Sequence, residues 1–202
     1  MARRTKEDAG ATRQALLDAA EQVFYDKGVA RVSLAEIALA AGATRGAIYW
    51  HFKDKVDLFN AMVDRIRLPL EAVRSADTLA GLGDPLQRVR GVVQQLLAII
   101  VNDAHTRRVF EIAMYRVEYV SELSDVRERH QAALARFRAQ LAQDLELAAR
   151  QAAVVLPMPL ADAALGLQAL FDGLLQAWIL GGAGFDLCAI GAGAVDAYLR
   201  GL

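Results

Sequence analysis

Cysteine and histidine are scarce in this chain of 202 residues, and each shortage excludes a class of site. The single cysteine, Cys188, excludes an intramolecular disulfide and a cysteine-rich metal site. The three histidines, His51, His105 and His130, do not have the spacing of metal ligands. We therefore expect no metal and no other cofactor.

Catalytic motifs and long apolar runs are missing too. The chain has no Gly-x-Ser-x-Gly elbow and no His-Glu-x-x-His pair, so we expect it not to be an enzyme. The longest apolar run, residues 96–101, is far shorter than the roughly 18 residues that a membrane span needs. No apolar signal region follows the first residues. These observations predict a cytoplasmic protein with no membrane partner.

Charge of either sign is not in excess, because the net charge is −1. Residues 1–55 hold nine Lys/Arg against seven Asp/Glu, and the remainder holds fourteen against seventeen. Such a small asymmetry indicates nucleic-acid binding only if the basic residues share one face. Hydrophobic residues make up 55% of the chain, which is high for a soluble monomer. Either the core is large or apolar surface is buried against another subunit.

Helical periodicity is what the chain has in abundance. Apolar residues recur three and four positions apart, and no long run alternates with a period of two. An apolar stripe predicts a helix from Thr12 to Lys27, which Gly28 ends. Two short helices at 33–39 and 44–50 and a longer one at 55–75 follow, and Pro69 is expected to kink the longer helix or to end its first segment.

After a loop at 75–84, Asp84-Pro85 begins another helix. The helical pattern resumes at 104–119, 123–153, 160–180 and 187–200. The sequence therefore predicts an all-α fold. We expect an N-terminal three-helix helix-turn-helix DNA-binding domain over residues 1–55 and a larger helical ligand-binding and dimerisation domain over residues 56–202.

The two short helices and their spacing predict a helix-turn-helix. Ser33 and Glu36 form a capping box at the first helix, and Ala41-Gly42-Ala43 separates it from the second. Leu34, Ile37, Ala38 and Ile48 form the apolar side of the pair. The outer face of the second helix is left free to enter a major groove.

Several residues on this face carry donors suited to DNA. Arg45 begins the second helix, where its guanidinium can reach a guanine edge. Lys55 lies at a helix N-terminus that already favours a phosphate. Thr44, Tyr49 and His51 can donate to phosphates. A flexible basic arm with Arg3, Arg4 and Lys6 could reach along a groove. Taken singly, each of these is also an ordinary surface residue.

The segment 12–59, and above all Ala43-Thr-Arg-Gly-Ala-Ile-Tyr-Trp-His-Phe-Lys-Asp-Lys-Val-Asp-Leu-Phe59, closely resembles the DNA-binding domain of TetR-family repressors. The resemblance implies that Arg45, Gly46 and Tyr49 read or approach bases. It implies that Ser33, Thr44, His51 and Lys55 hold the DNA backbone.

Residues 106–118 are similar to the multidrug-efflux branch of this family, the AcrR and TtgR type, as are Asp84-Pro85 and Asp172-Gly-Leu174. This similarity implies a repressor that binds a palindromic operator, controls an efflux-pump operon and is released by apolar or aromatic compounds. The alternative is a repressor of the same family that senses a catabolic or lipid metabolite and controls a non-efflux operon. A small helical enzyme and an architectural DNA-binding protein without a ligand are further alternatives.

The last two predicted helices suggest a homodimer. The helix at 160–180 is apolar almost all the way round, so it can face its own core on one side and a partner on the other. The small residues at 191–194 permit close helix approach. Two such helices from each chain would form a four-helix interface with two-fold symmetry, which fits a palindromic operator.

A ligand site is expected where apolar faces of several helices converge, although the same residues could form an ordinary core. Here the TetR resemblance implies that about half of them line a cavity for a large apolar ligand. Gln168, Asp172, Gln176 and Glu111 are the candidates for a polar contact. The apolar candidates are Ile66, Val92, Val93, Leu96, Phe110, Met114, Leu134, Phe137, Leu141, Leu167, Phe171 and Leu175.

Overall fold

A computed structural model describes residues 2–75, 83–118, 124–152 and 155–202, with side chains described for 8–67, 83–118, 124–151 and 155–202. Every regular element within these ranges is a helix, which confirms the predicted all-α fold. In chain order the helices are α1 Ala2–Lys27, α2 Leu34–Ala40, α3 Arg45–His51, α4 Lys55–Ser75, α5 Pro85–Asn102, α6 Ala104–Tyr115, α7 Ser124–Ala152, α8 Leu160–Leu180 and α9 Leu187–Arg200.

Helix α1 begins ten residues before the predicted start. Its backbone is helical from Ala2, so the prediction of a flexible basic arm is wrong for residues 3–6. Once the apolar stripe after Thr12 forms a helix, each further residue adds a backbone hydrogen bond at little cost, which favours extension toward the N-terminus. The side chains of the three basic residues of this segment lie outside the described residues.

The chain divides into two compact units, and the first comprises Met1–Leu68 and His105–Arg129. It contains α1 to α3, most of α4, and α6. Its core is formed by side chains that are almost completely buried, and the rings of Phe24 and Phe59 lie 6.2 Å apart within it. The buried core residues include Leu16, Leu17, Phe24, Ile37, Ile48, Phe52, Leu58, Met62, Val109 and Ile112.

The second unit comprises Pro69–Ala104 and His130–Leu202, and in it α9 packs closely against α5 and α8. A Cβ atom at Gly191 would collide with the side chain of Leu97, and one at Gly166 would collide with the ring of Tyr198. Tyr198 also donates a hydrogen bond to the carbonyl oxygen of Ala163, at 2.8 Å. The small residue at 191 therefore serves packing within the protomer, whereas Gly193 is exposed.

The boundary between the units falls inside α4, between Leu68 and Pro69. Helix α4 continues to Ser75, so Pro69 does not end it. The predicted loop at 75–84 lies largely outside the described residues, but its end is clear: the Asp84 side chain accepts a hydrogen bond from the Leu86 amide, with Pro85 at the first helical position. The division into residues 1–55 and 56–202 stays a prediction.

One helix of the described part of the chain, α8, is long and apolar enough to cross a membrane by length and composition. This is weak evidence for a span, because a core helix of a soluble protein passes the same test. Helix α8 carries Asp162 and Asp172, and seven of its residues, including Phe171 and Trp178, are buried. The helix is therefore partly buried and carries two carboxylates along its length.

Candidate nucleic-acid interface

A tight turn fixes the direction of α3 relative to α2. Gly42 adopts a φ of +65°, in the left-handed region that favours glycine. Its amide donates to the Leu39 carbonyl at 3.1 Å, and the Ala43 amide donates to the Ala38 carbonyl at 2.8 Å. These bonds satisfy the last carbonyls of α2, as in a Schellman motif. Helix α1 packs against both short helices, so α3 is held from two sides.

The predicted capping box of α2 is confirmed. The Glu36 amide donates to Ser33 Oγ at 3.3 Å, and the Ser33 amide donates to Glu36 Oε2 at 2.9 Å. The hydrogen bonds from the Ser33 amide and hydroxyl, aided by Lys27 at 3.2 Å, hold the pKa of Glu36 at about 2. Because the Ser33 hydroxyl donates to Glu36 Oε2, its hydrogen is already used within the protein.

Helix α3 buries one residue and exposes most of the others. Ile48 is fully buried, whereas the α3 start and outer face are exposed. The guanidinium of Arg45 lies 5.8 Å from the centre of the Tyr49 ring. The hydroxyl oxygen of Thr44 accepts from the Ala47 amide at 3.1 Å, which leaves its hydrogen free to donate. The exposed residues are Thr44, Arg45, Gly46, Tyr49 and Trp50.

Sequence reasoning missed Trp50 and Arg13. The Trp50 side chain is 73% exposed, and its ring meets that of His51 edge to face at 4.5 Å. The Arg13 guanidinium, from α1, lies 5.1 Å from the centre of the Phe52 ring. Burial, and then the charge of Arg13, lowers the pKa of His51. Helical periodicity placed Trp50 away from the buried Ile48, but no local pattern pointed to Arg13.

Lys55 is half-buried and is held by the backbone. Its Nζ donates to the carbonyl oxygens of Ala30 and Val32, at 2.8 and 3.1 Å. An ammonium group has three N–H donors, so one is left for another partner. The same side chain thus ties the start of α4 to the segment that precedes α2.

Two family models match this chain. The one described as "Bacterial regulatory proteins, tetR family" matches residues 16–62, and the one described as "MAATS-type transcriptional repressor, C-terminal region" matches residues 84–202. The chain belongs to the TetR family. The predicted membership is confirmed, and so is the prediction that this TetR-family repressor is not an enzyme. TetR-family regulators are soluble proteins that bind DNA and are typically dimers.

Relatives match this TetR-family chain over nearly its full length. It is 37% identical to the HTH-type transcriptional regulator TtgR of Pseudomonas putida over 180 residues, which covers 89% of this chain and 86% of TtgR. NalD, the secondary repressor of the MexAB-OprM multidrug efflux pump in Pseudomonas aeruginosa, has a TM-score of 0.86 at 35% identity and covers 97% and 98% of the two chains.

A third relative has been solved with a small molecule. The complex of triclosan with SmeT, the repressor of the Stenotrophomonas maltophilia multidrug efflux pump SmeDEF, has a TM-score of 0.79. Its identity to this TetR-family chain is 31%, with coverage of 94% of this chain and 90% of SmeT.

The predicted ligand residues of this TetR-family chain fall in both units. Ile66, Phe110 and Met114 belong to the first unit, where Ile66 is buried and the other two are half-buried. The remaining nine belong to the second unit, where Leu134 and Phe137 are half-buried. That these residues line one cavity stays a prediction. The seven buried ones of the second unit are Val92, Val93, Leu96, Leu141, Leu167, Phe171 and Leu175.

Two of the four polar candidates form a pair on α8. The Gln168 amide nitrogen donates to Asp172 Oδ2 at 3.1 Å. Burial raises the pKa of Asp172, while this hydrogen bond and the charges of His130 and Arg138 on α7 lower it. Gln176 is exposed, and Glu111 lies in the first unit. Asp172 therefore interacts both with Gln168 on its own helix and with charged residues of α7.

Proposed function

We propose that this protein is a cytoplasmic, homodimeric repressor that binds a palindromic operator and controls a multidrug efflux pump operon. Apolar or aromatic compounds bind to it and release it from the operator. The observation that carries the proposal is the similarity to NalD, which spans 97% of this chain and 98% of NalD at 35% identity. Similarity over both the DNA-binding half and the C-terminal half supports a shared type of signal as well as a shared fold.

The DNA side of the proposal rests on the exposed face of α3. Arg45, Gly46 and Tyr49 approach base edges in the major groove. The hydroxyl of Thr44 has a free hydrogen that can be donated to a phosphate. Lys55 has one N–H left for the same purpose, because its other two donate to backbone carbonyls. Ser33, at the start of α2, and His51, at the end of α3, are the remaining proposed contacts to the DNA backbone.

We add Arg13 to the phosphate contacts. Its guanidinium lies beside Phe52 and His51, at the C-terminal end of α3, and supplies a permanent charge there. Because the pKa of His51 is lowered from an ordinary value already below 7, the imidazole is neutral at physiological pH, and Arg13 supplies a positive charge beside it.

The ligand side of the proposal uses the twelve apolar residues predicted above. Triclosan, the compound bound to SmeT, is an apolar aromatic molecule with a single phenol hydroxyl. Buried side chains such as Leu167, Phe171 and Leu175 provide a matching apolar surface on α8. Met114, with its flexible thioether, adapts to ligands of different shapes.

A titration of labelled duplex tests the function. The DNA upstream of this gene is mixed with the purified full-length protein at fixed salt, and binding is followed by fluorescence anisotropy while triclosan is added. We expect saturable binding to the palindrome and at least a tenfold loss of DNA affinity at saturating triclosan, as a typical allosteric coupling would give. Triclosan that binds the protein without changing DNA affinity would contradict release by drugs, and release by a metabolite alone would favour the non-efflux alternative.

A further inference from the structure

A buried glutamine in α8 has a carbonyl oxygen without a hydrogen-bond partner. Gln168 is 5% exposed, and its Nε2 is held by Asp172 Oδ2 at 3.1 Å. Its Oε1 is buried and has no hydrogen-bond partner. Since an aspartate oxygen can only accept from an amide, this bond also determines which end of the Gln168 amide points away from Asp172. Folded proteins seldom retain such an unpaired acceptor, because it loses water without gaining a replacement.

Gln168 shares a face of α8 with an aromatic and an acidic residue. Residues 168, 171 and 172 share one face of α8, because residues three and four apart are neighbours on a helix. The ring of Phe171 lies 6.1 Å from the ring of Phe137 on α7. Asp172 accepts from Gln168 Nε2, and the charges of His130 and Arg138 on α7 lower its pKa, so its carboxylate has partners, whereas Gln168 Oε1 has none. What is missing here is a neutral donor.

We infer that the ligand of this repressor is an aromatic compound with a hydroxyl or N–H donor, which donates a hydrogen bond to Gln168 Oε1 while its apolar body packs against Phe137 and Phe171. The inference rests on the proposed ligand-responsive function and deepens it by naming the ligand class. A phenol fits this site, whereas its methyl ether has the same aromatic body and only an acceptor to offer. The orphan oxygen therefore acts as the specificity-determining group.

Matched pairs of compounds test the inference on the DNA-free, full-length protein. The probes are triclosan with its methyl ether, and 4-phenylphenol with 4-methoxybiphenyl, and their affinities are measured by isothermal titration calorimetry. We expect each phenol to bind the wild-type protein about tenfold more tightly than its ether, the ratio that one net hydrogen bond supplies. In Gln168→Met, which has a side chain of similar length and only a weakly accepting sulfur, the ratio should fall to near one.

The control is Gln151→Met, an equivalent change at an exposed position near the end of α7, which should keep the wild-type ratio. Gln168→Leu serves as a second variant if the methionine variant does not fold. The phenol-to-ether affinity ratio of the wild-type protein tests the inference without any variant. Equal affinity for phenol and ether, a preference that survives in Gln168→Met, or no saturable binding by either phenol would each overturn the inference. The calorimetry contains no DNA, so it tests the inference alone. A Gln168-dependent preference found together with no release of the operator in the anisotropy titration would contradict only the proposed function.

Discussion

At the scale of single residues, the predicted DNA-contacting side chains differ in how many of their hydrogen-bond donors remain unused within the protein. Ser33 already donates its hydroxyl hydrogen to Glu36, whereas the Thr44 hydroxyl only accepts and keeps its hydrogen. Lys55 donates two of its three N–H groups to the carbonyls of Ala30 and Val32. Replacing Lys55 would therefore disturb the start of α4 as well as any phosphate contact, which makes it a poor probe of DNA binding alone.

Arg45 and Arg13 are better probes, because they test base reading and charge separately. We expect Arg45→Ala to weaken operator binding by about 1–3 kcal/mol and to relax base preference at one position of each half-site. We expect Arg13→Met to weaken all duplexes alike. The slope of log K against log salt should fall by roughly 0.9 per lost phosphate contact, or about 2 per dimer.

Both effects are measured by anisotropy with the operator and with single-base variants of it, over a range of salt concentrations. Arg31→Met is the control, because this arginine is exposed and its ion pair is with Glu118, at 3.5 Å. It should leave base preference unchanged and change the slope less than Arg13→Met. An unchanged slope in a folded Arg13→Met protein would remove Arg13 from the interface.

At the scale of helices, α6 is fastened to α1 by polar contacts. The Val29 amide donates to the Arg116 carbonyl at 2.9 Å, and Arg116 also lies over the Tyr25 ring at 5.6 Å. Glu21, almost fully buried in α1, pairs with Nδ1 of His105 and with Arg108 of α6. A buried carboxylate needs such partners, because desolvation without compensation is costly. The unit that carries α3 therefore includes a helix from the middle of the chain.

Glu21→Gln tests this attachment. The amide keeps the shape of the carboxylate but gives up its charge-assisted interactions with two residues of α6. We expect the free energy of unfolding to fall by roughly 1–3 kcal/mol, the usual range for a hydrogen bond to a charged group. Urea denaturation at pH 7 measures the change. Glu128→Gln, at an exposed position of α7, is the matched control and should change stability by less than about 0.5 kcal/mol. Equal losses of stability in the two variants would mean that the buried contacts of Glu21 do not stabilise the protein.

The sequence predicted the positions of the helices well, but it did not predict which helices contact each other. Caps and periodicity located α2 and α3 within about two residues, because a capping box and a glycine turn are local. The pairing of Glu21 with α6 was not predictable, since helical periodicity tells which face is apolar and not which helix covers it. The same holds for Gly191, whose small size suggested contact with a partner but accommodates Leu97 of the same chain.

At the scale of the whole molecule, the proposed dimer depends on apolar surface that α8 and α9 leave uncovered. Leu165 and Leu180 on α8 are 47% and 65% exposed, and Ile190 on α9 is 47% exposed. On α8 the exposed positions 165, 169, 173, 176 and 180 recur at helical spacing and so form one stripe. A two-fold pairing of these helices would hold two recognition helices about 34–36 Å apart, the spacing of successive major grooves.

The double variant Leu165→Glu/Ile190→Glu should therefore convert the dimer to a monomer, because it brings four buried carboxylates into an apolar interface. Operator affinity should fall by at least about a hundredfold, since the second half-site no longer binds as part of the same molecule. Light scattering coupled to size exclusion measures the mass, and anisotropy measures the affinity. The control Leu147→Glu/Val155→Glu adds the same charge at exposed apolar positions 43% and 95% accessible, outside α8 and α9. If both double variants stay dimeric, the interface lies elsewhere; if both dissociate, added charge and not position is responsible.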